Sequence, residues 1–273
     1  MYRGMLISFT ETNIENEEEL KSWFVNEHID ERAISTDGFF RARLYECIDE
    51  GPKFFATYET NNFDTLASED YMKKVSNQTD WSKEIIPKLT MLERLTGKIT
   101  IDNLRGYGGK AITFRLLPFS NSTSRDKLRK IFTSELSKLT SLDYVNGACL
   151  IENDSKISTS TGEKAQKIGG KPNLDIKDEW MIIIEGQDES RLKELINTIY
   201  NKKSWEDIAI GFQNRQFRQP NIYNSNFWYH FSNIYVSKKH VKSTTECSNC
   251  ISLNQDIHNL IFKSEKKITK NYF

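Results

Sequence analysis

The chain has 273 residues with 38 basic and 38 acidic side chains, so its formal net charge is zero. An electrostatic nucleic-acid binder, which needs a concentrated excess of Lys and Arg, is not indicated. Aromatic residues make up 12% of the chain, which excludes a disordered composition, and a chain of this size buries roughly three quarters of its extended surface.

No apolar run approaches the roughly 18 residues of a membrane span, and the first apolar run is too short for a signal peptide. The cysteines, Cys47, Cys149, Cys247 and Cys250, form no evenly spaced framework, so a reducing compartment, the cytoplasm, is expected. Alternating β-branched and aromatic residues predict a strand over 5–10. Residues 16–34, rich in Glu, Leu and Lys with acidic side chains in the first turn, predict a helix. Asp37-Gly38 marks a turn, 39–48 a second strand, Glu50-Gly51-Pro52 another turn and 53–60 a third strand. A second helix over 63–75 is expected to break and resume over 81–92, with Pro87 interrupting it, before a fourth strand over 93–102. This order is βαββαβ, the split ferredoxin-like arrangement.

The same order recurs downstream. Gly4-Met-Leu-Ile-Ser-Phe9 aligns with Gly109-Lys-Ala-Ile-Thr-Phe114. Leu20-Lys-Ser-Trp-Phe-Val-Asn-Glu27 aligns with Leu128-Arg-Lys-Ile-Phe-Thr-Ser-Glu135, and the 37–46 segment with 143–152, at a nearly constant offset. Three anchors in order imply a tandem duplication. The chain is read as a first unit over 1–104, a second, divergent unit over 105–220, and a segment over 221–273 made of an aromatic stretch and a tail. Within the second unit, 153–177 is rich in Ser, Thr, Gly and Lys and is expected to be an inserted mobile loop. Residues 180–185 follow as a fully buried strand and 190–200 as a helix.

Trp23-Phe-Val-Asn-Glu-His28, Gly38-Phe-Phe-Arg-Ala-Arg-Leu-Tyr45, Phe54-Phe-Ala-Thr-Tyr-Glu59 and Leu66-Ala-Ser-Glu-Asp-Tyr71 together resemble the ethyl tert-butyl ether degradation (EthD-like) proteins. The resemblance covers about residues 1–100. Members commonly carry Trp-Tyr-x-x-Glu-His followed by Pro; here Phe24 replaces the Tyr and Asp30 stands where Pro is usual. The resemblance implies an α+β fold in which the two tandem ferredoxin-like units form an intramolecular dimeric α+β barrel, two four-stranded sheets face to face with helices outside. Relatives in that superfamily include cofactor-free monooxygenases, isomerases, polyketide cyclases and haem-handling enzymes, so it implies a fold more sharply than a reaction.

The first helix carries an apolar stripe, Leu20, Trp23 and Phe24, that continues at helical spacing into Glu27, His28 and Glu31. In the second unit the stripe reads Leu128, Ile131, Phe132, Glu135, Leu136, Leu139, so His28 and Glu31 meet leucines there. Either His28 is a general acid or base oriented by Glu27 or Glu31, or this is a helix end leaving the core with its polar face solvated. On the second strand, Phe39, Arg41, Arg43, Tyr45 and Cys47 share the face expected to line the barrel interior. Arg41 and Arg43 there either hold an anionic substrate group or pair with Glu59 or Asp102. Their counterparts are Gly147, Cys149 and Ile151, so one pocket per chain is expected, in the first unit.

Other motifs are weaker. Cys247-Ser-Asn-Cys250 with His240 and His258 is poorly spaced for zinc, and no metal is expected. Gly106-Tyr-Gly-Gly-Lys110 precedes a strand instead of opening a helix and reads as an inter-repeat turn, not a phosphate loop. Phe227-Trp-Tyr-His230 reads as edge packing or as a stopper over a planar ligand. Ile251, Leu253, Ile257, Leu260 and Ile261 trace a short amphipathic helix. The expected function is a cofactor-independent monooxygenase, isomerase or cyclase acting on a small hydrophobic or aromatic molecule. His28, Glu27 and Glu31 would be catalytic; Trp23, Arg41, Arg43, Tyr45 and Tyr58 would bind substrate. The alternative is a non-catalytic ligand-binding or protein-interaction barrel. No cofactor, nucleic acid or membrane partner is expected, and the chain would act as a monomer or homodimer.

Overall fold

Strands β1 (Gly4–Thr12), β2 (Phe39–Cys47), β3 (Phe54–Thr60) and β4 (Leu89–Leu104) come from the first part of the chain. Strands β5 (Lys110–Leu116), β6 (Val145–Asn153), β7 (Trp180–Gly186) and β8 (Asn221–His230) come from the second. The computed structural model describes residues 1–33, 35–48, 52–106, 108–118 and 122–200, together with the backbone of 221–230. All strand pairs are antiparallel, and the order β1-β3-β2-β8-β5-β7-β6-β4 closes on itself through β4 and β1. Each half has the ferredoxin-like order, β4-β1-β3-β2 and β8-β5-β7-β6. The halves join where β4 pairs with β6 and β2 with β8, so neither sheet keeps an open edge. Residues 1–230 form one compact unit.

Alternation along the strands divides the apolar side chains into three layers. Met5, Ile7 and Phe9 pack with Tyr45, Phe55, Leu95, Cys149, Met181 and Ile183 from both halves, inside the barrel. Leu6, Leu44, Phe54, Ala56 and Tyr58 point the other way. They pack under α1 (Glu17–Trp23), α2 (Ile29–Ala33), α3 (Glu69–Ser76) and α4 (Asp80–Ile85). Ile112, Phe114, Leu150, Ile182 and Ile184 do the same in the second half, under α5 (Ser122–Leu139) and α7 (Glu189–Tyr200).

The barrel interior also contains charge, and that charge is paired. Arg41 contacts Glu59; Arg43 reaches Glu185 at 2.6 Å and Glu59 at 3.6 Å; Arg3 reaches Glu59 at 2.7 Å and Asp102 at 3.0 Å. Arg115 holds Glu93 through two hydrogen bonds of 2.6 and 2.7 Å and also contacts Glu179. Arg43–Glu185 and Arg115–Glu93 each take one partner from each half. They tie the sheets together through the core.

Three expectations are corrected. Residues 81–92 are not one helix: α4 stops at Ile85, a 3₁₀ turn over Ile86–Lys88 carries Pro87, and β4 begins at Leu89. The long ladder of β1 with β4, from Gly4↔Lys98 to Thr12↔Leu89, claims residues that local periodicity assigns to a helix. The 153–177 insertion contains α6 (Ser155–Gln166), capped by Asp154, whose carboxylate accepts from the amides of Lys156 and Ile157. Its buried face is made of Ser158, Thr161, Gly162 and Ala165, small residues that let it approach β4 and that read as loop by composition. The eighth strand is 221–230, so the aromatic stretch belongs to the barrel and not to a segment beyond it. Its side chains, and the Cys247, Cys250, His240, His258 and 251–261 patterns, lie outside the described residues. Among the described residues no helix is long and apolar enough to cross a membrane.

Arg43→Met should destabilise the protein by about 3–5 kcal/mol, because it leaves Glu185 buried without a cation. Adding Glu185→Leu should recover a substantial part of that loss in urea unfolding. Equal loss in the single and double variants would show that the pair is not what joins the halves.

Candidate functional site

A regular α-helix would carry the stripe from Leu20, Trp23 and Phe24 on to Glu27, His28 and Glu31. Between α1 and α2, however, the chain makes a π-helical turn over Phe24–His28. The wider turn adds one residue to the register. Beyond it the buried positions are His28, Ile29, Arg32 and Ala33, while Glu27 and Glu31 rotate to the flanks.

His28 sits in an aromatic box. Trp23 stacks on the imidazole with 4.1 Å between centroids, and Phe24 and Tyr58 meet it edge-on at 5.6 and 5.9 Å. Trp23 is held in turn by its indole Nε1, which donates to Ser82 Oγ of α4 at 3.2 Å. Neither predicted orienting carboxylate reaches the ring. Glu27 accepts from Thr79 Oγ1, the residue that caps α4, and so ties two helices together. Glu31 accepts from Arg32 at 3.2 Å, and Arg32 also donates to Gln78 at 3.0 Å. Among the described residues His28 Nδ1 has no hydrogen-bond partner.

Facing His28 is the outer side of the first-half sheet, with Ser8 and Thr10 of β1, Tyr58 of β3 and Leu92 and Arg94 of β4. Together with Trp23, Phe24, Gln78, Ile86, Leu89 and Ala165 they enclose a cavity of about 30 Å³, room for about one water. Four buried polar atoms around it lack partners among the described residues: Thr10 Oγ1, His28 Nδ1, Tyr58 Oη and Arg94 Nε. Arg94 is 8% exposed, its only hydrogen bond among the described residues is a long one to Tyr71 Oη at 3.5 Å, and no carboxylate among them pairs with it.

The electrostatics follow from burial and from these arginines. Burial, then the charges of Arg32 and Arg94, hold the His28 imidazole well below its ordinary range, so it is neutral at neutral pH. Burial pushes the Tyr58 hydroxyl up, so it remains a neutral donor. Burial also raises the carboxyls of Asp30 and of Glu31, the latter against the pull of Arg32.

The predicted site residues therefore separate onto the two faces of the sheet. Trp23, His28 and Tyr58 meet under the helices. Arg41, Arg43 and Tyr45 point into the barrel, where Glu59 and Glu185 occupy the arginines and Arg43 donates to Tyr45 Oη at 2.7 Å. Burial raises both the Tyr45 hydroxyl and the neighbouring Cys149 thiol. Thr10, Arg32 and Arg94 were not singled out by sequence. The one signal for Arg94 is strand alternation, which places it with Leu92 on the face turned to the helices. A second cavity, of about 160 Å³, lies where Arg115 meets Glu93 and Glu179, but its arginine is already satisfied by those carboxylates. Among the described residues no group of three His, Cys, Asp or Glu could hold a metal.

Among the described residues of the second half no such polar lining recurs. Register relates Leu6↔Tyr58 to Ile112↔Ile184, so Ser8, Thr10 and Tyr58 correspond to Phe114, Leu116 and Ile184. Helix α5 is unbroken and buries Leu128, Phe132, Leu136 and Leu139. Polar groups on one side become apolar packing on the other.

No family model matches the chain. A cytidine monophosphate-N-acetylneuraminic acid hydroxylase from Danio rerio is 37% identical over 43 residues, which is 16% of this chain and only 7% of that protein. Among solved structures, an anthrone oxidase-like protein superposes with a TM-score of 0.57 at 7% identity, covering 85% of this chain and 94% of that one. A provisionally named monooxygenase from Fusobacterium nucleatum gives 0.55 at 10% identity over 84% and 94%. Another from Lactobacillus acidophilus gives 0.52 at 8% identity over 85% and 98%. At such identities these likenesses establish the fold alone: an α+β barrel of ferredoxin-like sheets.

The buried neutral histidine makes stability fall with acid. The unfolded imidazole takes up a proton near pH 6.5 while the native one refuses it, so below that pH the unfolded state binds more protons. The loss should approach about 1.4 kcal/mol per pH unit until the native pKa is reached. Subtracting a His28→Leu variant in urea unfolding at pH 7.5 and 5.5 isolates this slope from the opposing contributions of Asp30 and Glu31. A wild-type slope identical to the variant's would contradict it.

Proposed function

We propose that the protein is a cofactor-independent enzyme of the monooxygenase, isomerase or cyclase type, which holds a small hydrophobic or aromatic substrate against the outer face of its first sheet. The observation that carries this is the set of buried groups around one cavity that lack partners among the described residues: a neutral His28 beside a Tyr58 hydroxyl and an Arg94 without a carboxylate. A neutral imidazole can take a proton from a weakly acidic C–H or O–H of the substrate, and the electron pair left behind moves onto a substrate oxygen. Tyr58 and Arg94 are placed to stabilise that oxyanion by hydrogen bonding and charge. Trp23 and Phe24 supply flat apolar walls. Arg32 and Arg94 oppose an imidazolium at His28, so proton transfer becomes favourable only as the compensating anion forms. A ring does not fit in about 30 Å³; substrate entry requires Ile86, Leu89 and Ala165 to move aside.

The same reading treats the two halves as duplicated EthD-like units, the first keeping the site and the second closing the barrel. The anchors at 20–27/128–135 and 37–46/143–152, the repeated strand order and the apolar replacements at Phe114, Leu116 and Ile184 support it; the first anchor is one residue out of phase, since Phe9 lies in the barrel interior and Phe114 under the helices.

A panel of phenols and planar enolisable aromatics should yield a ligand that shifts the Trp23 indole and His28 resonances in NMR spectra. For a ligand that is turned over, His28→Gln should lower kcat by about 10²–10⁴ while binding persists. Ala165→Trp should block binding by filling the cavity. Ligand contacts mapped instead to Tyr45 and Cys149, or turnover indifferent to His28→Gln, would refute the assignment. Tight binding without turnover of any panel member would favour the non-catalytic alternative.

A further inference from the structure

We propose that the floor of this cavity is an anion seat, built to take a carboxylate-sized oxyanion of the ligand on Arg94, Tyr58 and Thr10, with uptake of a proton at His28. This rests on the cavity being the substrate site, and it names the chemical group that the site selects.

The treatment of arginine elsewhere in the chain makes Arg94 informative. The other arginines buried in the core each have a carboxylate: Arg32 has Glu31, Arg41 has Glu59, Arg43 has Glu185 and Arg115 has Glu93. Arg94 is the exception among the described residues. A buried cation is costly unless paired, and the cavity that Arg94 lines also holds the Tyr58 and Thr10 hydroxyls, each able to donate and without a partner among the described residues. A cation is excluded by this potential, and a neutral guest would leave the guanidinium uncompensated. A compact oxyanion satisfies both the charge and the open donors. At about 30 Å³ the cavity admits a single oxygen of such a group at its floor; the rest of the oxyanion enters with the same movement of Ile86, Leu89 and Ala165, and the apolar walls of Trp23, Leu89 and Leu92 suit a hydrophobic remainder, so the ligand is an organic acid or a molecule that becomes one.

Proton uptake follows from the groups around the imidazole. On its own helix these are Arg32 and Glu31, which pair with each other. From β3 comes the neutral Tyr58 and from β4 Arg94, with Tyr71 of α3 behind it. The residues contributed by the 3₁₀ turn and by α6, Ile86 and Ala165, carry no charge. An anion on Arg94 cancels the nearest unbalanced positive charge and so favours the imidazolium.

The test uses the full chain and compares sodium acetate with acetamide at matched ionic strength, following the His28 Cε1–H resonance across pH. Acetate should raise the His28 midpoint by about one pH unit or more in a saturable manner, and acetamide should leave it in place. In Arg94→Met the midpoint should start higher and no longer respond to acetate, with Arg94→Lys restoring part of the response. Should Arg94→Met fail to fold, Tyr58→Phe, which removes a donor without removing charge, should weaken acetate binding about tenfold. An equal response to acetamide, no response to acetate, or a full response in the arginine variant overturns the anion seat. If the acetate effect is missing yet neutral aromatics still shift Trp23 and turn over, only the anion seat falls. If acetate binds as described and nothing turns over, the seat stands and the enzymatic reading falls.

Discussion

Closure of the eight-stranded barrel is the constraint on which the other features depend. Pairing β4 with β6 and β2 with β8 removes every sheet edge, and it also gives both sheets a shared interior that must be filled. Apolar side chains fill most of it. The charged ones that remain are matched across the two halves, since a buried ion is tolerated only when paired. Glu59 and Glu185 occupy equivalent register positions, opposite Met5 and Ala111, and both approach Arg43. The inward arginines are thus part of the joint between the halves. The cavity lined by His28, Tyr58 and Arg94 lies on the other face of the sheet.

There the π-helical turn decides the composition of the site. One added residue in the first helix turns Glu27 and Glu31 aside, brings Ile29 and Arg32 inward and keeps His28 buried. His28 then faces Tyr58 and Arg94 across a small cavity, surrounded by positive charge and by donors instead of by the carboxylates expected to orient it. The result is a neutral imidazole poised against a cationic background, an arrangement responsive to the arrival of negative charge. The second half, with an unbroken α5 and apolar residues at the matching strand positions, has solved the same packing problem without polar groups.

Most secondary structure elements of the first half and their order, though not the start of β4 at Leu89, were legible in the sequence because each rests on short-range periodicity. So was the interruption of the apolar stripe at His28, and so was the alternation that set Arg41 and Arg43 on one face of β2. Helix α6 was not legible, because its buried face is Ser, Thr, Gly and Ala, chosen for close approach to β4 and indistinguishable by composition from a loop. The eighth strand was not legible either, since its assignment rests on backbone pairing with β2 and β5 from distant parts of the chain.

The sequence by itself determined the α+β class, the ferredoxin-like order of the first half and the point, at His28, where an apolar helix stripe turns polar. Tertiary structure alone decided which polar residues meet. A π turn changes helical phase without a composition signature, and a sheet has two faces whose assignment depends on what closes over each. Those two facts separate Arg41 and Arg43 from His28 and put Arg94 in their place.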